Sequence, residues 1–376
     1  MKQVEVLRVL HVLFSMNCGG AEAMLMNLYR RADRSRIQFD FLVSAPEPMF
    51  YEPEIASLGG RVFRIPSLRQ SDPVRYQRRL LAFFRAHPEY RIVHSHLETT
   101  TGLILRQANH AGVPCRIAHS HNTRYPGSGW RALPERWLKD WCKRFILPNA
   151  TCRLACSSQA AHWLFGAASA EVLRNGILTE RFRFDAQARL QVRRRLGLSE
   201  ETTLYLHVGR FQAQKNQAFL LEAWAELERV RPDAALVLIG EGEQRTAAQQ
   251  CAARLKEPRR VYFLGQRDDV PRFLCAADCF VLPSLFEGLP LALAEALCAG
   301  LPCVVSDRVP TEALPGRITS LPLGDPGQWA AALLAQPLAG AKRAAAADAL
   351  AAAGYDAAQS AARLTELYFQ QISAFQ

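Results

Sequence analysis

What most constrains the fold of this chain is a rhythm that occurs twice. Short apolar runs recur at "VLRVLHVLFS" (6–15), "QFDFLVSA" (38–45), "RVFRIP" (61–66), "RIVHSH" (91–96), "CRIAHSH" (115–121) and "CRLACSS" (152–158), with helix-like stretches between them. The series restarts at "TLYLHVGR" (203–210) and continues through "ALVLIG" (235–240), "VYFLG" (261–265), "CFVLPS" (279–284) and "PCVVSD" (302–307). Strands that are apolar on both faces must be covered on both, and when they alternate with helices they build parallel sheets. The pattern predicts an α/β chain of two doubly wound domains, a number that suits 376 residues. Ligands of such sheets bind beyond the carboxyl ends of the strands, so two domains in tandem predict a cleft site. The polar, arginine-rich segment "RFRFDAQARLQVRRRLGLSEE" (181–201) lacks a strand signal and marks a boundary near 178–200. We therefore expect a first domain over 1–180, a second over 181–355, and an amphipathic helix over 356–376 packing back towards the first. The alanine-rich zone 329–353 reads as a plain pair of surface helices.

The net charge of +11 is confined to the first half: residues 1–185 hold 26 Lys and Arg against 15 Asp and Glu, whereas residues 186–376 hold 20 of each. Such an imbalance implies an anionic partner, be it a phosphorylated substrate, an anionic membrane or nucleic acid. The opening "MKQVEVLRVLHVLFSM" is interrupted by Glu5, Arg8 and His11 and is followed by no small-residue cleavage site, so it does not read as a signal peptide. No run reaches the length of a membrane span. A cytoplasmic location, or the inner face of the plasma membrane, is expected. The ten cysteines lie mostly in apolar segments; Cys152 and Cys156, and Cys275 and Cys279, are spaced as helix neighbours, and no set completes four zinc ligands. They read as small core residues of a reducing compartment.

No G-x-G-x-x-G follows a strand, and neither a P-loop nor H-E-x-x-H is present, so phosphate binding must come from other elements. In "SMNCGGAEAMLMNL" (15–28), Gly19 and Gly20 let the backbone approach a ligand at a helix N-terminus, although any tight strand–helix turn uses such a pair. In "HVGRFQAQKNQAFLLEA" (207–223), Arg210 and Lys215 follow the first strand of the second domain and together suit a diphosphate; either alone would be an ordinary solvated cation.

The stretch "FEGLPLALAEALCAG" (286–300) holds two carboxylates in apolar surroundings. Pro290 suits the first turn and Gly300 the C-terminal cap of a helix over roughly 290–299. Gly288 and Leu289 precede it, with amides able to point at a diphosphate. Glu287 on the loop and Glu295 inside the helix each need a partner, because an isolated buried carboxylate is costly; ligand hydroxyls or distant arginines would serve. Eight of nine histidines lie in the first half, with His94 and His96 ending one strand and His119 and His121 the next. Strand alternation puts His119 and His121 on one face, and two such pairs at neighbouring strand ends read as a cleft site more than as core. In "RYPGSGWRALPERWLKDWCKRFIL" (124–147), Leu133, Trp137, Trp141 and Phe145 repeat every four residues among Arg131, Arg136, Lys139, Lys143 and Arg144. The pattern fits an interfacial membrane helix and equally an amphipathic helix packed on its own domain. Basic–aromatic interleaving also occurs in nucleic-acid binding, but the fold signals argue against that use.

Together these residues resemble the retaining, nucleotide-sugar-dependent glycosyltransferases of family 4, which have the GT-B fold of two Rossmann-like domains facing a central cleft. Their hallmark is a pair of glutamates separated by seven residues, here Glu287 and Glu295 within "PSLFEGLPLALAEALCAGLPCVVSD" (283–307). The similarity extends to "GGAE" (19–22), "HSHN" (119–122), "RNGI" (174–177), "VGRFQAQKN" (208–216), "IGEGEQR" (239–245) and "FLGQRDDV" (263–270), and so covers nearly the whole chain. "HSHNTRYPG" is most similar to transferases of capsular, exopolysaccharide or lipopolysaccharide synthesis. The resemblance implies that Glu295 holds the ribose hydroxyls and that Glu287 contacts the donor sugar. Gly288, Leu289, Pro290 and Leu291 would surround the diphosphate and sugar, with Arg210 and Lys215 neutralising the leaving group. Glu241 would also bind the donor, Arg267 would meet the base largely through backbone, and Gly19 and Gly20 would approach the diphosphate. His121 would lie near the reacting centre, with His119 and Asn122 as second choices or acceptor contacts. No bound metal and no cofactor is implied, and no enzymatic nucleophile.

The expected function is transfer of a sugar from a nucleotide diphosphate, a UDP-sugar foremost, to a glycan acceptor carried on a polyprenyl diphosphate, in bacterial surface polysaccharide synthesis. Nucleic acid is not an expected partner; an anionic membrane surface reached through 124–147 is. A UDP-sugar 2-epimerase shares the two-domain fold but would act without an acceptor. A non-catalytic basic module for lipid or nucleic acid would explain the charge but not the paired glutamates.

Overall fold

The structure is a computed structural model that describes residues 6–68, 70–125, 133–336 and 341–375. The chain forms two units, one of Met1–Gly176 with Ala357–Gln376 and one of Ile177–Asp356.

The first unit is built on seven strands: β1 (Leu7–Val12), β2 (Ile37–Val43), β3 (Val62–Arg64), β4 (Ile92–Ser95), β5 (Cys115–Ser120), β6 (Cys152–Ala155) and β7 (Glu171–Val172). They are parallel, in the order β3-β2-β1-β4-β5-β6-β7. Six coincide with the apolar runs, while β7, at two residues, is too short to leave a sequence signal. The winding reverses between β1 and β4, where His11 stands opposite His94 in register. One charge is sealed in this sheet. Asp40 is fully buried but accepts from both arms of Arg8 at 2.6 Å, from Tyr90 at 2.8 Å and from the Arg61 amide at 2.7 Å. The helix Ala357–Ser373 belongs to this unit and buries Leu364, Leu367, Tyr368 and Ile372, in contact with the helix Gly20–Arg31.

The second unit has β8 (Leu204–Val208), β9 (Ala235–Ile239), β10 (Val261–Phe263), β11 (Cys279–Leu282), β12 (Cys303–Ser306) and β13 (Ile318–Leu321). These are parallel as β10-β9-β8-β11-β12-β13, so the winding again reverses, between β8 and β11. β13, "ITSL", is a half-exposed edge strand, so it lacks the continuous apolar run that marks the others.

Three sequence expectations need correcting. The alanine-rich zone is not simply surface: Trp329, on the helix Pro326–Leu334, is fully buried in the core with Trp224 and Leu333. Buried Arg343 donates to the carbonyls of Leu274, Cys275, Ala277 and Ala299 at 2.7–3.1 Å, and burial pulls its pKa down to about 10. The arginine-rich segment lies inside the second unit, which the chain enters at Ile177. Arg189 and Arg193, on the helix Ala186–Arg195, grip buried Asp278 at 2.7 and 3.2 Å, and Asp278 also accepts from the Leu204 amide at 2.8 Å. Finally, the paired cysteines are not helix neighbours: Cys152 opens β6 with Cys156 just beyond it, and Cys275 is helical while Cys279 opens β11. Seven of the ten are buried and all are free thiols, so they do serve mostly as small core residues.

The basic–aromatic stretch forms the helix Leu133–Lys143; residues 126–132, with Arg131, and the Leu133 side chain lie outside the described residues. Its Cys142 is buried, and a Cβ on Gly102 of the helix Thr101–His110 would fall 2.0 Å from the Cys142 carbonyl oxygen, so the two helices touch backbone to backbone. Trp141 packs edge-on against Phe145 at 5.1 Å, and the Arg106 guanidinium lies 4.7 Å from the Phe145 ring. Trp137, 78% exposed, points away from this packing. The aromatic row is therefore split between packing and solvent. Among the described residues no helix is long and apolar enough to cross a membrane.

Replacing Asp278 leaves Arg193 buried without its counter-charge. Asp278→Ala should lower stability by about 3–5 kcal/mol, read from the urea midpoint.

Candidate active site

In the second unit the functional side chains gather where β8 and β11 end. The loop after β8 carries Arg210, then a short turn, Ala213–Lys215, and Asn216 in the left-handed conformation (φ 55°) opens the helix Gln217–Val230. His207, in β8, organises this loop. Its Nδ1–H donates to the Val281 carbonyl at 2.9 Å, so Nε2 is left as an acceptor and takes the Gln217 amide at 3.2 Å. The same Gln217 nitrogen reaches the Arg210 carbonyl at 3.0 Å and holds the loop in place. Burial pulls the His207 pKa down to about 4, which keeps it neutral in this role. Gly240 and Gly242, beyond β9, have φ of 142° and 152°, and a Cβ on either would strike the Gly209 or Phe211 carbonyl oxygen at 2.1 or 2.3 Å. Only glycine allows these loops to lie so close.

Lys215 answers what Glu287 binds. Its ammonium meets the buried Glu287 carboxylate at 2.5 Å, and Gln214 approaches the other oxygen at 3.3 Å while donating to the Phe286 carbonyl at 2.9 Å. The two residues for which the family resemblance implies contacts with the sugar and the diphosphate are thus ion-paired. Arg210 is exposed, and its guanidinium has no partner among the described residues. Beyond Glu287, Gly288 and Leu289 lead to Pro290, which has no N–H to offer and acts as an extended cap rather than a first-turn residue. The helix runs Leu291–Cys298, and its Leu291 and Ala292 amides have no intrahelical acceptor. Its far end is closed by Gly300 (φ 72°), with Gly300 N–H to the Leu297 carbonyl at 2.9 Å and Leu301 N–H to that of Ala296 at 3.0 Å. The carboxyl group of Glu295, half-buried on this helix, has no hydrogen bond among the described residues; burial pushes its pKa up to about 7, with Arg181 opposing. Glu241 and Arg267 are occupied locally, the first by Arg245 at 3.4 Å and the second by both oxygens of Asp269 at 2.5 and 2.8 Å.

In the first unit, five histidines converge at the ends of β1, β4 and β5. His121 Nε2 lies 2.8 Å from His96 Nδ1, and His96 Nε2 lies 3.1 Å from His11 Nδ1. Separately, His119 Nδ1 lies 3.1 Å from His94 Nε2, and His94 Nδ1 lies 2.6 Å from the Tyr368 hydroxyl. Burial drives all five pKa values down, to about 3 for His11 and about 4 for His121, so the rings are neutral. Two trios, His11–His94–His96 and His96–His119–His121, bring ligand nitrogens within 4.8 Å, as a metal site requires. The bonded pairs, however, are at hydrogen-bond spacing, closer than the roughly 3.3 Å between two nitrogens on a tetrahedral zinc. His121 and Asn122 are held by Glu98, which accepts from the His121 amide at 2.9 Å and the Asn122 side chain at 3.0 Å. Glu98 sits at φ 48°, an uncommon conformation for glutamate, and burial pushes its pKa up to about 7 against these bonds. Gly20 opens the first helix with no atom within 4 Å of where a Cβ would stand, whereas the Glu22 carboxylate folds over Gly19.

The sequence reading missed His11, Glu98, His207, Gln217 and Tyr368. His11 was legible as a polar residue inside an apolar strand, and Glu98 as a carboxylate just beyond "HSH". Nothing in the sequence marked Tyr368, which stands 274 positions from His94.

The fold is that of a GT-B glycosyltransferase. Residues 19–176 match the glycosyl transferase 4-like domain and residues 202–336 match glycosyl transferases group 1. Over 371 residues the chain is 39% identical to EpsF of Bacillus subtilis (strain 168), a proposed glycosyltransferase, covering 96% of each. It is 31% identical over 264 residues to the UDP-Gal:alpha-D-GlcNAc-diphosphoundecaprenol alpha-1,3-galactosyltransferase of Escherichia coli, covering 66% of each. Anabaena HepE in complex with UDP and glucose superposes with a TM-score of 0.78 at 19% identity, covering 96% of this chain and 98% of that one. The chain belongs to the family 4 glycosyltransferases.

Glu98 binds its proton more tightly in the folded protein (pKa about 7) than in the unfolded one, so its contribution to stability falls as pH rises through that interval. Glu98→Gln should therefore gain melting temperature relative to the unmodified protein between about pH 5 and pH 8, as calorimetry at both ends would show.

Proposed function

We propose that this glycosyltransferase takes a UDP-sugar and passes the sugar, with retention of anomeric configuration, to a saccharide carried on a polyprenyl diphosphate. The observation that carries this reading is the buried Lys215–Glu287 pair beside the unpartnered Arg210, at the start of a helix whose first amides are open. Cleaving the anomeric carbon–oxygen bond builds negative charge on the departing diphosphate. Lys215, Arg210 and the Leu291 and Ala292 amides are fixed donors suited to receive that charge as it develops. When the diphosphate engages Lys215, Glu287 is released to accept from the sugar hydroxyls. Glu295, its carboxyl group lacking a hydrogen-bond partner among the described residues, takes the ribose hydroxyls. With two cations and helix amides in place, the reaction needs no metal ion. No carboxylate is assigned as nucleophile; the acceptor attacks from the face the leaving group departs.

Support for the acceptor comes from the likeness to a relative whose name specifies a diphosphoundecaprenol-linked substrate. An acceptor of that kind lies at a membrane, and the exposed Trp137 amid Arg136, Lys139 and Arg144 suits an anionic surface. We place the enzyme in the cytoplasm, at the inner face of the membrane.

Glu287→Ala and Lys215→Ala should each lower kcat by about 100- to 1,000-fold; full transfer by both would overturn the site. Transfer should survive dialysis against a chelator, and NMR of the product should show the donor's anomeric configuration. Conversion of the UDP-sugar with no acceptor present would instead indicate an epimerase. Glu295 accepts more strongly from the ribose hydroxyls as a carboxylate, with both oxygens, and has a pKa of about 7 in the free protein, so UDP favours loss of its proton below that pH. UDP affinity should rise with pH between about 6 and 8, and Glu295→Gln should flatten that rise. Trp137→Ala should weaken binding to anionic vesicles at low salt; no vesicle binding by the unmodified protein would remove the membrane claim.

A further inference from the structure

The five histidines form two hydrogen-bonded chains, and one of them has an end that settles its direction. Among the described residues, the Tyr368 hydroxyl has a single partner, His94 Nδ1, and His94 passes the contact on to His119 Nδ1. His119 Nε2 is buried and has no partner among the described residues. Suppose Tyr368 donates. His94 then accepts at Nδ1, and as a neutral ring it carries its proton at Nε2. That proton goes to His119 Nδ1, so His119 carries its own proton at Nε2. In the opposite order the phenol proton is buried without an acceptor and the His119 Nε2 lone pair is unpaired as well. The first order leaves one buried polar atom unpaired and the second leaves two, so the first is favoured. A cationic His94 would force the second order, but burial keeps His94 neutral and Tyr368 protonated.

The other chain makes no such choice. His121, His96 and His11 end at His11 Nε2, also buried and unpartnered, and either direction leaves that same atom unpaired.

We propose that Tyr368, acting through His94, locks His119 as the Nε2–H tautomer and so fixes which way the buried chain at the carboxyl ends of β4 and β5 points. Tyr368 is then a positioning residue supplied by the last helix of the chain, remote in sequence from the histidines it sets.

The test is nitrogen-15 NMR of histidine-labelled full-length protein. His119 should show a protonated Nε2 and a bare Nδ1. Tyr368→Phe should let the Nδ1–H form appear. His94→Gln, whose amide oxygen accepts from Tyr368 and whose amide nitrogen donates to His119, should preserve the Nε2–H form. A proton at His119 Nδ1 in the unmodified protein, or a Tyr368→Phe spectrum with the tautomer unchanged, overturns the proposal. Should Tyr368→Phe fail to fold, the unmodified protein and His94→Gln still decide. The spectra are recorded without substrate. An Nε2–H His119 in a protein that transfers no sugar would sink the transferase reading and leave the tautomer lock standing.

Discussion

A parallel sheet covered on both faces leaves little room for polar chemistry along its strands. The side chains there must be apolar or completely paired, and groups meant to meet a ligand are pushed to where the strands stop. Both units obey this constraint. Asp40 is tolerated within β2 because two arms of arginine, a phenol and an amide satisfy it. Asp278, at the entrance to β11, is satisfied in the same manner by Arg189, Arg193 and the Leu204 amide. At the carboxyl ends the bookkeeping differs. Lys215 spends its charge on Glu287 alone among the described residues, Arg210 has no partner there, and two histidine nitrogens are left over. A pair that is over-satisfied serves the fold, and a pair with donors to spare is available for exchange.

Much of this was legible in the sequence because buried parallel strands are read almost directly from their composition. Eleven apolar runs correspond to eleven strands, and the two remaining strands, β7 and β13, are edge elements too short or too polar to register. The arginine-rich segment misled for a physical reason. Arginines look like solvated linker residues until a buried acceptor such as Asp278 is found far along the chain, and that pairing is invisible to local pattern. The alanine-rich zone misled likewise, since Trp329 and Arg343 carry its burial and alanine spacing hides them.

The site was legible in part. Spacing placed Glu287 and Glu295 around one helix start, but only the folded chain shows their different states. Glu287 is neutralised by Lys215, whereas Glu295 is raised to a pKa of about 7 by burial. The histidine pairs were seen as two strand-end motifs. Their union with His11 depends on strand order, because β1 lies beside β4 only through the sheet's reversal of winding. Tyr368 entered by a still longer route, through a helix that returns to the first unit after the whole of the second has been made.

That return has a consequence for how such enzymes can be recombined. The second unit is an insertion in the first, entered at Ile177 and left at Asp356. A chimera that exchanges everything after residue 176 also discards the tyrosine that terminates the His94–His119 chain. Grafting a different second unit onto this first unit therefore calls for two junctions, with the native 357–376 segment kept.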